Sequence, residues 1–265
     1  MSHDIYEAYA LRYAFRDGNT SSQTYYRYEL YDEPEQTFAM DYFFWVVRNS
    51  RRTVLFDCGY TEQRALQRGR TLVASPVELL ERIGVGVGQV DHVVLSHMHW
   101  DHIGNVGLFP NATFSVARRE FAFWRDPIGK RPCTGLANGD EELAAVENLQ
   151  REGRLFQIET DHHRLYSGID LVTTPGHTPG QLIADVATAD GSVVLASDAL
   201  HYDEEMTLDR PFHVFTEIGG MYRTYELLRS LSARPETAVI AGHDPAVTAR
   251  YKEVAENCLD LTAAI

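Results

Sequence analysis

The chain has 265 residues, of which 44% are hydrophobic and 23% are charged. This composition is typical of globular proteins and excludes disordered, collagen-like and fibrous classes. The formal net charge of -14, from 24 basic and 38 acidic residues, argues against partners such as nucleic acid or anionic membranes, because both attract basic patches.

Membrane and secretory signals are not evident in the sequence. No apolar run reaches the roughly 18 residues that cross a bilayer, and the first residues do not form a basic stretch followed by an apolar one. The cysteines are odd in number and widely spaced (Cys58, Cys133 and Cys258), so we expect no disulfide framework and a reducing, cytoplasmic location. In the absence of a repeat or a linker, we expect residues 1–265 to form a single domain.

The first part of the chain predicts strands. They cover residues 6–16, 24–31, 41–47 and 53–57. The first two are rich in tyrosine mixed with charge, as at the edge of a sheet. The run at 41–47 is almost continuously apolar, which is typical of a strand buried on both faces. Asn49 and Ser50 predict a hairpin turn after it.

The rest of the chain predicts a mixture of strands and helices. A helix begins at Ser75, because Ser75 can cap it, Pro76 suits its first turn and Glu78 completes a capping box. Further helices are predicted over residues 117–125, 141–151, 219–231 and 246–257. Further strands are predicted over residues 91–95, 169–174, 180–187, 192–197 and 237–241. This order favours a layered α/β sandwich over a strictly alternating parallel fold.

A dense group of potential metal ligands follows the strand at 91–95. Of the 11 histidines, His97, His99 and His102 lie within six residues, and Asp101 precedes the last of them. Because side chains alternate along a strand, His97 and His99 face the same way and can reach one metal. Imidazole and carboxylate are the ligands that zinc and iron use where no thiolate is offered. The group therefore predicts a metal site rather than a polar surface loop.

Three further apolar strands end in a potential ligand. His177 lies in a Gly-His-Thr-Pro-Gly turn, Asp198 follows the strand at 192–197, and His243 follows the strand at 237–241. A single such residue after a strand is usually only a turn residue. Three of them, together with the first group, favour one metal centre.

The ligand order resembles that of the metallo-β-lactamase fold superfamily. The matching residues are His97, His99, Asp101, His102, His177, Asp198 and His243, within a resemblance that spans residues 41 to about 245. The resemblance implies an α/β fold of the αββα type, in which two mixed sheets pack face to face with helices outside.

The same resemblance implies a site for two divalent metal ions. One is held by His97, His99 and His177, the other by Asp101, His102 and His243, and Asp198 bridges them. Asp57 resembles the family's early aspartate, which supports the ligands. Zinc is the favoured metal, with iron, manganese and cobalt as alternatives.

Within the superfamily, the chain most resembles the N-acyl-homoserine lactonases. The likeness lies in its size and in the strand end Ser197-Asp198-Ala199. It implies a hydrolase in which a hydroxide shared by two metals opens a lactone ring, the reaction of quorum quenching. The alternatives are a lactonase for another lactone and a glyoxalase II-like thioesterase. The short tail after His243, with only Arg250 and Lys252 as basic residues, argues against the thioesterase.

The residue that contacts the substrate carbonyl departs from the lactonase pattern. That family has a tyrosine three residues after the bridging aspartate, where this chain has His201, followed by Tyr202. The predicted catalytic residues are therefore Asp101, Asp198 and either Tyr202 or His201, with Tyr202 slightly favoured.

The sequence is less informative about the pocket and about oligomers. Met40, Phe44, Trp124 and Phe212 are candidates for an apolar lining, although aromatic runs more often lie in the core. Arg210 and Arg223 lie in the right half of the chain for a charged substrate group. The tyrosine-rich segment at 24–31 could form a homodimer contact or an edge strand over its own core.

Overall fold

The computed structural model describes residues 4–135, 137 and 139–264. The strands are β1 (Glu7–Thr20), β2 (Thr37–Arg48), β3 (Thr53–Phe56), β4 (Thr71–Leu72), β5 (His92–Val94), β6 (Thr113–Ala117), β7 (Leu155–Ile158), β8 (His162–Tyr166), β9 (Ile169–Thr173), β10 (Leu182–Thr188), β11 (Gly191–Ser197), β12 (Thr237–Ala241), β13 (Tyr251–Ala255) and β14 (Cys258–Ala264). The helices are α1 (Ser21–Thr24), α2 (Glu62–Arg68), α3 (Pro76–Arg82), α4 (Trp100–Ile103), α5 (Arg118–Arg125), α6 (Pro132–Gly135), α7 (Asp140–Arg151), α8 (Asp203–Leu208), α9 (Ile218–Ser232) and α10 (Ala246–Arg250), with short 3-10 helices at Tyr28–Tyr31, Val87–Gln89 and Val106–Leu108.

The strands form two mixed sheets. The larger has the order β13-β14-β1-β2-β3-β5-β6-β7, and β4 pairs with β1. Within it, β3, β5, β6 and β7 are parallel neighbours. The smaller sheet has the order β12-β11-β10-β9-β8, and its β11 and β12 are parallel.

Strand β2 shows how the sheets and helices are layered. Phe43, Trp45 and Val47 point between the two sheets and pack with residues of β10, β11 and β12. The alternate residues, including Tyr42 and Phe44, pack on the other face with residues of α3, α5 and α7. Because the side-chain period of a strand is two, only an apolar residue at nearly every position can serve both layers. The prediction of a strand buried on both faces is confirmed.

Helix α9 covers the outer face of the smaller sheet. Its Met221, Tyr225 and Leu228 pack on Ile183 and Val194. The layers are therefore helices, sheet, sheet and helices, so the αββα architecture is confirmed.

Local signals placed many elements correctly. Strands β2 and β3 form the expected hairpin, with Arg48 opposite Thr53. Helix α3 has the expected capping box, in which Ser75 Oγ accepts from Glu78 N at 3.2 Å and Glu78 Oε2 accepts from Ser75 N at 2.8 Å. In the described part of the chain, no helix combines the length and hydropathy needed to cross a membrane.

Two predicted elements were wrong, and tertiary contacts explain both. The predicted strand at 24–31 is instead the last residue of α1, a short turn and a 3-10 helix, and its Tyr25 and Tyr28 are buried. The predicted helix at 246–257 ends at Arg250 and gives way to the hairpin of β13 and β14. Strand β14 pairs with β1, so sheet pairing overrides the local helical pattern.

Candidate metal centre

All the predicted ligands follow the carboxyl ends of strands. Strands β3 and β5 are parallel and place Asp57 and residues 96–102 at one edge of the larger sheet. Strands β11 and β12 are parallel and place Asp198 and His243 at one edge of the smaller sheet. Side chains that follow parallel strands meet at the same end of a sheet, as in other layered α/β folds.

Two close backbone approaches shape the ligand turns. Gly176 has a φ of 154°, and a Cβ there would lie 2.5 Å from the backbone nitrogen of Met221, so the turn that presents His177 requires glycine. A Cβ on Gly242 would lie 2.6 Å from the carbonyl oxygen of Ser197. Glycine at 242 therefore allows the ends of β11 and β12, which carry Asp198 and His243, to come together.

The ligand atoms gather into two groups. His97, His99, His177 and Asp198 offer atoms that all lie within 4.8 Å of one another. Asp101, His102 and His243 form a second group by the same measure. All seven side chains are buried or nearly so.

Asp198 lies between the two groups. Its Oδ2 is 3.3 Å from His177 Nε2 and 3.7 Å from His97 Nε2. Its Oδ1 is 3.1 Å from His102 Nε2 and 3.0 Å from His243 Nε2. Each carboxylate oxygen thus faces one group, which is the arrangement of a carboxylate that bridges two cations.

The hydrogen bonds of the imidazoles suit metal ions. His177 Nδ1 donates to the carbonyl of Val214 at 2.8 Å, and His243 Nδ1 donates to the carbonyl of Asp41 at 2.7 Å. A carbonyl can only accept, so in the neutral ring the lone pair of each Nε2 is directed into the site.

Two buried nitrogens of the site also lack hydrogen bonds. Among the described residues, His97 Nε2 and His102 Nε2 are buried without a partner in hydrogen-bond geometry, although Asp198 Oδ1 lies 3.1 Å from His102 Nε2. Such unpaired buried atoms are rare and require an explanation, which metal binding provides. The residues present therefore fit two divalent ions.

The electrostatics of the site favour neutral imidazole in the first group. Burial and the neighbouring imidazoles hold the pKa of His97 and of His99 well below the usual range. Burial opposes ionisation of Asp198, but the surrounding histidines outweigh it and hold the pKa of that carboxyl well below its usual range. A neutral imidazole and an ionised carboxylate are the forms that bind metals.

Asp57 supports the second group from below. It is fully buried, and its Oδ2 accepts from His102 Nδ1 at 2.7 Å. The same oxygen accepts from Ser96 Oγ at 2.7 Å and from Ser197 Oγ at 2.9 Å. Both Asp57 and Ser197 have a positive φ (65° and 47°), an uncommon backbone conformation in non-glycine residues that is found near functional sites.

The structure separates His201 from Tyr202. His201 lines the cleft, with Nε2 3.1 Å from Asp198 Oδ2 and Nδ1 3.1 Å from Glu205 Oε1. Although burial lowers the pKa of His201, the two carboxylates raise it to about 9. Tyr202 lines a different cavity, and its hydroxyl donates to the carbonyl of Ala39 at 3.3 Å.

A cleft of about 400 Å³ lies over the two groups. Of the predicted pocket residues, Met40, Trp124 and Phe212 line it. Phe44 does not, because its side chain is fully buried in the core below β2, so that prediction was wrong.

Sequence reasoning missed the basic residues of the cleft. Arg16, Arg68 and Arg70 line it. The two arginines that the sequence favoured pair elsewhere, Arg210 with Glu33 and Glu204, and Arg223 with Glu217. The position of the cleft arginines follows from the pairing of β4 with β1. This pairing involves only two residues of β4, so no sequence pattern predicts it.

Residues 41–243 match the profile of the Metallo-beta-lactamase superfamily, and this range contains every candidate ligand. The chain belongs to the metallo-beta-lactamase superfamily. The N-acyl homoserine lactonase AttM of Rhizobium radiobacter is 28% identical to this member over 190 residues, which are 68% of each chain. The N-acyl homoserine lactonase AiiA of Bacillus thuringiensis subsp. kurstaki is 26% identical over 171 residues, 63% of this chain and 61% of that protein.

Solved structures of lactonases share the fold of this chain. A quorum-quenching N-acyl homoserine lactone lactonase has a TM-score of 0.77 at 20% identity and covers 100% of both chains. AidC, a dizinc quorum-quenching lactonase in complex with a product, has a TM-score of 0.69 at 20% identity, over 92% of this chain and 90% of that one. At such identities, these likenesses show the fold.

Proposed function

We propose that the protein is a dinuclear metal-dependent lactonase that opens an N-acyl-homoserine lactone. The observation that carries this proposal is Asp198, whose two oxygens face two separate groups of ligands. The curated relatives support the substrate class, because those reported above are N-acyl homoserine lactonases.

The seven ligands would hold two ions. His97, His99 and His177 would bind one, Asp101, His102 and His243 the other, and Asp198 both. When bound, the ions would supply Lewis acidity towards the substrate carbonyl and would lower the pKa of water to near neutrality. We propose zinc, which suits imidazole and carboxylate ligands and which the neighbour AidC contains, with iron, manganese and cobalt as alternatives.

Two residues of the cleft would act on the substrate directly. Nε2 of His201 is directed to the site and can donate a hydrogen bond to the lactone carbonyl, while Glu205 fixes the other side of the ring. The carboxylate of Asp101 lines the cleft and can carry a proton from water to the ring oxygen that leaves. Trp124 beside His99 and Phe212 stacked on His201 would exclude water from the acyl side.

The cellular location and the domain organisation of the protein are also proposals. Three unpaired cysteines suit a reducing cytoplasm, and the continuous layers suit one domain over residues 1–265. A homodimer stays a prediction.

The function is tested by pH-indicator hydrolysis with the metal-loaded protein. The substrates are N-hexanoyl- and N-decanoyl-homoserine lactone beside S-lactoylglutathione. Asp198→Asn should lower lactone kcat/KM by more than about 100-fold, because an amide cannot bridge two cations. Asp190→Asn, at an exposed turn of the same sheet, should leave it unchanged.

Two outcomes would contradict the proposal. If protein with two bound metals opens neither lactone, it is not a lactonase for this substrate class. Turnover of the thioester alone would place the chain with glyoxalase II-like thioesterases.

A further inference from the structure

Three arginines form a basic wall of the cleft, and the fold brings them together from separate segments. Arg16 lies in β1, Arg68 ends α2, and Arg70 directly precedes β4. Strand β4 pairs with β1 through Ala14 opposite Leu72, so these three side chains share one side of the cleft. All three are half-buried.

Two of the three arginines, Arg16 and Arg70, are not neutralised by nearby carboxylates. In the described part of the chain, neither Arg16 nor Arg70 has a carboxylate within 4.0 Å, whereas the neighbouring Arg12 pairs with Asp41 at 2.7 Å. The cleft lining contains two acidic residues, Asp101 and Asp198, which the metal ions would engage. In a chain with a net charge of -14, a half-buried basic wall is a local exception.

Other contacts hold Arg68 and Arg70 next to the second ligand group. Arg70 Nε donates to Tyr42 Oη at 2.6 Å, and Arg70 Nη1 donates to the carbonyl of Arg68 at 2.7 Å. The Tyr42 ring packs edge-on against His243, with ring centroids 4.9 Å apart. The guanidinium of Arg68 lies 5.2 Å from the ring centroid of Trp100. A group bound by these arginines would therefore lie close to the reacting centre.

The cleft also has an apolar part. Trp124 packs against His99 with centroids 5.4 Å apart, and Phe212 stacks on His201 with centroids 3.7 Å apart. The cleft thus has aromatic side chains beside His99 and His201, and Arg70 lies near His243 through Tyr42. A neutral acyl chain would contact the aromatic side chains but would offer no negative charge to the arginines.

We propose that the substrate is a lactone whose acyl group carries a carboxylate, bound by Arg16 and Arg70 on the basic wall. This inference rests on the proposed lactonase function and narrows its substrate class. The guanidinium fork matches a carboxylate with two parallel hydrogen bonds. Charge-assisted bonds of this kind correspond to roughly 10- to 100-fold in affinity.

The test compares matched charged and neutral substrates with the metal-loaded protein. The charged one is N-(5-carboxypentanoyl)-homoserine lactone, and the neutral one is its primary amide, which has the same shape. A second pair of carboxylate and amide, made from the shorter succinyl chain, places the terminal group closer to the lactone ring. We expect kcat/KM to be about 10- to 100-fold higher for at least one carboxylate than for its amide.

Two variants test whether the basic wall causes the preference for a carboxylate over its amide. Arg16→Gln should lower the ratio of the two kcat/KM values by about 10-fold, mainly through KM, because it removes a charge that binds substrate. Arg223→Gln, which changes an exposed arginine paired with Glu217, should leave the ratio unchanged. Since Arg16 makes no ion pair among the described residues, its replacement should not impair folding, and thermal unfolding verifies this.

The outcomes separate this inference from the function on which it rests. Turnover of neutral lactones without a preference for either carboxylate overturns the inference and keeps the lactonase. If no lactone is opened, calorimetric titration with the same probes measures binding alone. Equal affinity for carboxylate and amide then overturns the basic-wall assignment as well.

Discussion

Two buried carboxylates support the ligand loop at 96–102 in different ways. Asp57 contacts a ligand directly, because its Oδ2 accepts from His102 Nδ1. Glu120 contacts none of the candidate ligands. Its Oε1 accepts from Met98 N at 2.9 Å and Trp124 Nε1 at 2.6 Å, and its Oε2 accepts from Gly180 N at 2.9 Å. Both carboxylates are fully buried.

The difference lies in what each carboxylate holds in place. Asp57 fixes the ring orientation and tautomer of His102, so it acts on the second ligand group. Glu120 ties the loop that carries His97 and His99 to the turn that carries His177, so it acts on the relative position of backbone segments. One residue should therefore control metal affinity, and the other should control the stability of the folded chain.

The largest effect is expected for Glu120→Ala. It would leave two buried backbone N–H groups and the Trp124 indole without an acceptor, so we expect a loss of about 3–5 kcal/mol in the free energy of unfolding. Chemical denaturation of the metal-free protein measures this. Glu159→Ala, which removes an exposed partner of Arg118, should change the free energy by less than about 1 kcal/mol. Equal effects of the two variants would refute the structural role of Glu120.

A smaller and different effect is expected for Asp57→Asn. Asparagine tolerates the positive φ of this position, but its amide nitrogen cannot accept from His102. We expect the second of two bound metals to be held about 10- to 100-fold more weakly, as measured by competition with a chelator. Asp91→Asn is the control, because Asp91 Oδ2 accepts only from Thr53 N among the described residues. Equal weakening of both metals in Asp57→Asn would contradict the view that Asp57 acts on the second ligand group, whereas Glu120 acts on the stability of the folded chain.

The clustering of the candidate ligands could be predicted because these residues follow apolar strands that are themselves evident in the sequence. Each candidate ligand lies within eight residues of the end of a strand, so a local pattern carries the information. Asp57 was found in the same way. Glu120 was not, because the two backbone groups that it joins are 22 and 60 residues away, and no spacing in the sequence marks them.

The errors have the same origin in contacts between distant segments. Residues 251–257 were predicted to be helical, but Arg12 N donates to the carbonyl of Asn257 at 2.9 Å, and β14 pairs with β1. The cleft arginines depend on the pairing of β4 with the same strand. Both features require knowledge of which strand lies beside β1.

A third carboxylate, Glu205, combines the two kinds of support, because it contacts both a histidine side chain and backbone nitrogens. The smallest effect on stability and activity is expected for a variant of Tyr202, in the segment that Glu205 holds in place. Its Oε1 accepts from the backbone nitrogens of His201 and Tyr202 at 2.6 and 2.9 Å, and it also lies 3.1 Å from His201 Nδ1. The segment is thereby fixed with His201 in the cleft and Tyr202 outside it. Tyr202→Phe should change kcat/KM for a lactone by less than about 3-fold and should lower the free energy of unfolding by about 1 kcal/mol, the value of one hydrogen bond.

His201→Gln is the matched variant on the cleft side. It should lower kcat for a lactone by about 10- to 100-fold, because the proposed hydrogen-bond donor to the lactone carbonyl is lost or displaced. Steady-state kinetics of both variants, with metal content verified, compares them directly. A large loss in Tyr202→Phe together with normal activity in His201→Gln would mean that the 199–205 segment rearranges when substrate binds. Glu205 would then hold a resting conformation rather than the reactive one.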